Sequence, residues 1–265
     1  MPVPEPPHLL ILGGTAEAAA LAAAVETQFG AALRITISLA GRTPRPAPLP
    51  GRVRIGGFGG AAAMAAYLAG ERIGLVIDAT HPFAVRISAA AAEACRATAV
   101  PLVAIDRPAW RRQPDDHWIE VDDLWAAATA LSDLGRRVFL TVGGRGLEAF
   151  AGLARHHFLL RLVAAPAAPP PLSSYALLLA RGPFTLAGER RILAEHAIEV
   201  LVAKASGGSA TEAKLVAARE RRLPVVMVRR PQKPVGGRVD GIAEAIGWIQ
   251  SHLSIARRLG EEAGP

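Results

Sequence analysis

The chain has 265 residues, which suits one large domain or two small ones, and 51% of them are hydrophobic, so a substantial core can be buried. Lys plus Arg numbers 30 against 23 for Asp plus Glu, a net charge of +7, yet no dense basic block or aromatic-interleaved basic stripe occurs. That argues against nucleic acid and for a small polyanionic partner. A lone cysteine, Cys95, rules out a disulfide framework within the chain, no ligand cluster suggests a metal, and the start MPVPEPPH reads as neither a signal peptide nor a membrane span, so a cytoplasmic protein is expected.

In chain order, HLLIL predicts a buried strand broken by Gly13-Gly14, and Thr15–Phe29 a helix. Leu33–Gly41 predicts a second strand, RVRIGG a third and Gly60–Gly70 a helix. Ile73–Asp78 follows as a strand, Ala84–Ala99 as a helix and Pro101–Ile105 as a strand. The pattern then restarts: strand HWIEVDD, helix Asp123–Leu134, strand RRVFLTV, a helix through Arg155, and strands HFLLRLV and YALLL. Helix Gly188–Ala197, strand Glu199–Lys204, helix Thr211–Arg222, strand Pro224–Arg229 and helix Asp240–His252 complete it, with a frayed tail after Ile255. Short apolar strands alternating with helices predict an α/β protein of two Rossmann-like, doubly wound parallel-sheet domains with a ligand cleft between them. The expected domains are 1–110 and 111–265.

The chemistry gathers at strand ends. Gly13-Gly14-Thr15 departs from the GxGxxG dinucleotide pattern, so it either cradles a phosphate or is a tight turn capped by Thr15. Where the second strand ends, Ser38, Arg42 and Thr43 stand in place of the acid that favours a free ribose, which favours a 2′-phosphate. Arg145 in VGGRG, Arg181 in ARGPF, and Lys204, Ser206, Gly207 and Gly208 in KASGGSAT put cations and glycines at further strand ends, with Thr211 expected to cap a helix.

The stretch DATHPFA places Asp78, Thr80, His81 and Phe83 after the strand LVI. Pro82 suits the first position of a helix, and Asp78 or Thr80 suits a cap. An imidazole is a poor cap, which leaves His81 as a proton donor or ligand contact.

Taken together, GGTAEA, DATHPFA, RPAW, GGRGLEAF, ARGPF and KASGGSATEAK, in this order, resemble the precorrin-6A reductase family of cobalamin biosynthesis over nearly the whole chain. The resemblance implies NADPH as hydride donor, a polycarboxylate cyclic tetrapyrrole as acceptor, and no metal. It implies that Gly13, Gly14, Thr15 and Arg42 hold the cofactor, with Ser38 and Thr43 beside them. It implies that Asp78, Thr80, His81 and Phe83 line the meeting point of cofactor and substrate, with His81, Asp78 and Thr80 as catalytic residues. Arg145 and Arg181 would contact the substrate, and Lys204, Ser206, Gly207 and Gly208 substrate carboxylates or the cofactor. A cobalt-containing substrate, another NADP-dependent reductase and a two-lobed anion-binding protein stay open as alternatives, as does the oligomeric state, with a monomer the simplest case.

Overall fold

The computed structural model describes residues 5–41 and 48–262, with the side chains from 255 onward left out of the description. Arg42 and Thr43 lie outside the described residues. In chain order the elements are β1 (His8–Leu12), α1 (Ala16–Phe29), β2 (Arg34–Leu39), β3 (Arg52–Ile55), α2 (Ala61–Gly70), β4 (Leu75–Asp78), α3 (Val85–Thr98) and β5 (Leu102–Ile105). Then come β6 (Trp118–Val121), α4 (Leu124–Leu131), β7 (Arg137–Leu140), β8 (His157–Leu162), β9 (Tyr175–Leu179), α5 (Leu186–Glu195), β10 (Val200–Lys204), α6 (Ala213–Glu220) and β11 (Val225–Val228). The chain closes with β12 (Gly237–Val239) and α7 (Ile242–Glu262).

Two compact units result: Met1–Arg107 with Pro231–Pro265, and Pro108–Arg230. The C-terminal segment expected in the second domain therefore belongs to the first. There β12 pairs parallel with β5, Val239 opposite Ile105, and α7 lays Ala245, Ile246 and Ile249 on the core. Each fully buried isoleucine of that stripe contributes roughly 1.5–3 kcal/mol, which holds the returning segment in place.

The first sheet runs β12-β5-β4-β1-β2-β3, every pairing parallel. Its central strands β1, β2 and β4 are buried on both faces, as is usual for parallel sheets. In β1, Leu9 and Ile11 face a core with α1 and α7, and Leu10 and Leu12 face one with Met64 and Leu68 of α2 and Ala91 of α3. The second sheet runs β6-β11-β10-β7-β8-β9, again all parallel. One face packs Phe139, Leu159, Leu201 and Met227 against Leu193 of α5 and Leu215 of α6.

Three local expectations give way. The helix expected through Arg155 is only a 3₁₀ turn, Leu147–Phe150, in a stretch broken by Gly146 and Gly152, and glycine costs about 1 kcal/mol in a helix. Thr211 does not cap α6: it ends a 3₁₀ turn, and Glu212 precedes the helix without a side-chain cap. The tail after Ile255 is not frayed, because α7 continues to Glu262. No helix among the described residues is long and apolar enough to cross a membrane.

Candidate active site

In the first unit the chain runs from β1 outward to β2 and β3, then crosses to β4 on the other side of β1. The crevice at the carboxyl ends of β1 and β4 is thus the topological switch point, where open α/β sheets bind ligands. Two turns flank it, after Leu12 and after Asp78, which are register partners. They are stitched together: Ala79 N–H donates to Leu12 O (3.0 Å), and the Thr15 hydroxyl donates to Ala79 O (2.7 Å) while accepting from Ala18 N–H (3.1 Å). Thr15 is therefore the cap of α1 and also a clamp between the turns.

The glycines have different reasons. A Cβ on Gly13 would stand 3.2 Å from Ile37 and 3.4 Å from Ala18, so Gly13 lets helix and strand approach closely. Gly14 adopts φ +102°, a conformation side chains resist, and no described residue lies within 4 Å of where its Cβ would be. The backbone at Gly14 is thus open to a ligand. Ser38, register partner of Leu12, is buried on the next strand, and its carbonyl accepts from Gly13 N–H (2.9 Å).

The turn after β4 departs from expectation. Asp78 is 0% exposed. Its carboxylate accepts from the Thr80 hydroxyl (2.5 Å), Thr80 N–H (3.0 Å), the Ser88 hydroxyl (2.5 Å) and the Lys233 ammonium (3.1 and 3.2 Å). Lys233 also donates to the Thr80 carbonyl and hydroxyl oxygens, both at 3.0 Å. So saturated a carboxylate anchors the turn. Lys233 was missed because it reads as a solvated cation in RPQKPVGGR, 155 residues from its partner. Burial holds its ammonium below the ordinary lysine value, against the opposing pull of Asp78.

Pro82 lies in the turn rather than the helix, which starts at Val85 without a side-chain cap. The imidazole closes the turn itself: Phe83 N–H donates to His81 Nδ1 at 3.2 Å, and the two rings lie 5.8 Å apart. Accepting at Nδ1 places the proton of the neutral ring on Nε2. His81 is exposed and Phe83 half-buried, whereas Thr80 is buried with Asp78.

The second unit has its own switch point. From β7 the chain proceeds to β8 and β9, then crosses to β10 on the far side of β7. The Lys204 ammonium, at the end of β10, donates to Val142 O (2.7 Å) beyond β7. Gly207 and Gly208 take positive φ values of +67° and +80°. A Cβ on Gly207 would fall 2.1 Å from Pro108 O, so this turn admits glycine alone. Trp110 Nε1–H donates to Gly208 O (2.8 Å), and Arg230 donates to the carbonyls of Ala205 (3.1 Å) and Ser206 (2.9 Å). Ser206 is buried, while Arg145 after β7 and Arg181 after β9 are exposed at the same sheet edge. Within each unit, then, the expected residues that are described gather at the carboxyl edge of one sheet.

The family model for "Precorrin-6x reductase CbiJ/CobK" matches residues 8–250. A curated precorrin-6A reductase from Rhodococcus erythropolis is 48% identical over 244 residues, 91% of this chain and 97% of that protein. A cobalt-precorrin-6A reductase from Salmonella typhimurium is 26% identical over 265 residues, 95% of each chain. The solved structure titled "CobK precorrin-6A reductase" is 43% identical with a TM-score of 0.88, covering 93% of this chain and 97% of that one. The chain belongs to the precorrin-6x reductase CbiJ/CobK family.

Proposed function

We propose that the protein reduces one carbon–carbon double bond of precorrin-6A, giving precorrin-6B, with NADPH as the reductant. Family membership makes it an oxidoreductase acting on a CH–CH group in cobalamin biosynthesis. The observation that carries the cofactor reading is the first unit's switch point. A glycine turn with open space over Gly14 leads into the capped start of α1, a place suited to a pyrophosphate. Bound there, NADPH supplies the hydride.

The chain's own residues align and neutralise. Gly13, Gly14 and Thr15 hold the phosphates, with Ser38 beside the ribose. Phe83 and His81 stand on the neighbouring turn, where nicotinamide and macrocycle meet. Hydride addition must be matched by one proton, and His81 is the group on this turn that would supply it. Thr80 and Asp78 fix that turn and do not take part in the proton transfer. Arg145, Arg181, Lys204 and the Ser206–Gly208 turn face the acetate and propionate groups of the substrate, which accounts for a basic chain without a nucleic-acid partner. The metal-free substrate is favoured over the cobalt form, since the precorrin-6A reductase relative is 48% identical and the cobalt-precorrin relative 26%.

Fluorescence titration with NADPH tests the cofactor reading: saturable binding is expected, and a chain that binds small anions but not NADPH overturns it. In single-turnover reduction, His81→Ala should slow the step about 100-fold, the lower range for general acid catalysis. An unchanged rate removes the chemical role of His81.

A further inference from the structure

One register row crosses the carboxyl edge of the first sheet: Ala104, Asp78, Leu12, Ser38, Arg54. Its last member has no part in the roles assigned so far. β3 is an edge strand that exposes two apolar residues, Val53 and Ile55 at 37% and 61%, while the half-buried position between them carries an arginine. That guanidinium is held from several sides. It stacks 3.7 Å from the centre of the Phe58 ring and lies 5.2 Å from that of Tyr67. Nη1 donates to Gly56 O (2.6 Å) and to the Ser38 hydroxyl (3.4 Å), and Nη2 donates to Gly57 O (3.0 Å). Among the described residues these bonds use three of its five N–H groups, which leaves two for an anion.

Its place on the edge says which anion. The phosphate-binding turn follows β1, and Arg54 stands two strands away, about 10 Å at the usual strand spacing. Between them lies Ser38 at the end of β2, where a dinucleotide fold meets the adenosine ribose. We infer that Arg54 recognises the 2′-phosphate of the cofactor, with Phe58 and the Gly56 and Gly57 carbonyls fixing its guanidinium in advance and Ser38 at its side. The inference rests on the NADPH reading and sharpens it: a described residue on β3 supplies the discrimination between phosphorylated and plain ribose. Arginine presents a planar fork to phosphate and stacks on aromatic faces, so it suits this position where lysine would not.

The test is calorimetric titration of the whole protein with adenosine 2′,5′-bisphosphate and with 5′-AMP, which needs no turnover. The wild-type protein should prefer the bisphosphate by about 10- to 100-fold, the range for charge-assisted hydrogen bonds. Arg54→Gln should abolish that preference and leave 5′-AMP binding unchanged. Arg54→Lys should keep part of it, because the charge remains. If Arg54 only pins the Gly56-Gly57 turn and guards the sheet edge, both variants weaken both ligands alike, and the inference fails. It also fails, alone, if Arg54→Gln retains the wild-type preference. A wild-type protein that binds both compounds equally overturns the NADPH reading and the inference together.

Discussion

Replacing Lys233 with methionine removes the ammonium that touches both Asp78 oxygens and both Thr80 oxygens, and leaves a carboxylate at 0% exposure with only hydroxyl and amide donors. Breaking a buried pair from one side costs about 3–5 kcal/mol. Lys233→Met should therefore destabilise the first unit by roughly 3–5 kcal/mol. Adding Asp78→Asn removes the stranded charge and should recover most of the loss. Two units need not unfold together, so the assay is hydrogen exchange of the peptide spanning 75–88 in increasing urea. A loss below about 1 kcal/mol, with no recovery in the double variant, would refute the buried pair as the anchor of this turn.

Other consequences concern the second unit. Burial first, then Arg161, pushes the Lys214 ammonium down to about 7, against the opposing pull of Glu189. The unfolded chain then binds more protons than the folded one from about pH 7 to pH 10, so stability rises with pH across that window, by up to ~1.4 kcal/mol per unit. Urea midpoints from pH 6.5 to 9.5 should show this rise, and Lys214→Met should flatten it; parallel profiles would contradict the assignment. Arg161 pairs with Glu189 through two contacts of 2.8 Å and lies over Phe139 and Phe184, with both partners buried. Glu189→Leu should cost about 3–5 kcal/mol and the double change Arg161→Met with Glu189→Leu far less; equal costs would show that the charge itself is not what matters.

The sequence disclosed the parts whose causes are local. β1 and its glycine turn were legible because an apolar run ending in Gly-Gly has few other readings, and Thr15 was legible as a cap because it stands just before an alanine-rich helix. What it concealed was long-range. The segment PVGGRV has the composition of a loop, and only pairing with β5 makes Gly237–Val239 a strand, which in turn moves the C-terminal helix to the first unit. Asp78 looked like an acid presented to a ligand because two of its partners are hidden in sequence: Ser88 lies a helical turn into α3 and Lys233 lies 155 residues away. His81 does not cap α3, as its imidazole suggests; its Nδ1 instead accepts from Phe83 N–H inside the turn before the helix. Arg54 went unnoticed because RVRI reads as an ordinary edge strand, and its meaning depends on Ser38 and Phe58 arriving on either side.

The central claim is tested most directly by incubating the purified protein with NADPH and intact precorrin-6A and following both absorbance spectra. The account predicts a change in the macrocycle spectrum that consumes one NADPH per macrocycle reduced. An unchanged macrocycle spectrum, with the substrate shown to survive the incubation, would contradict it.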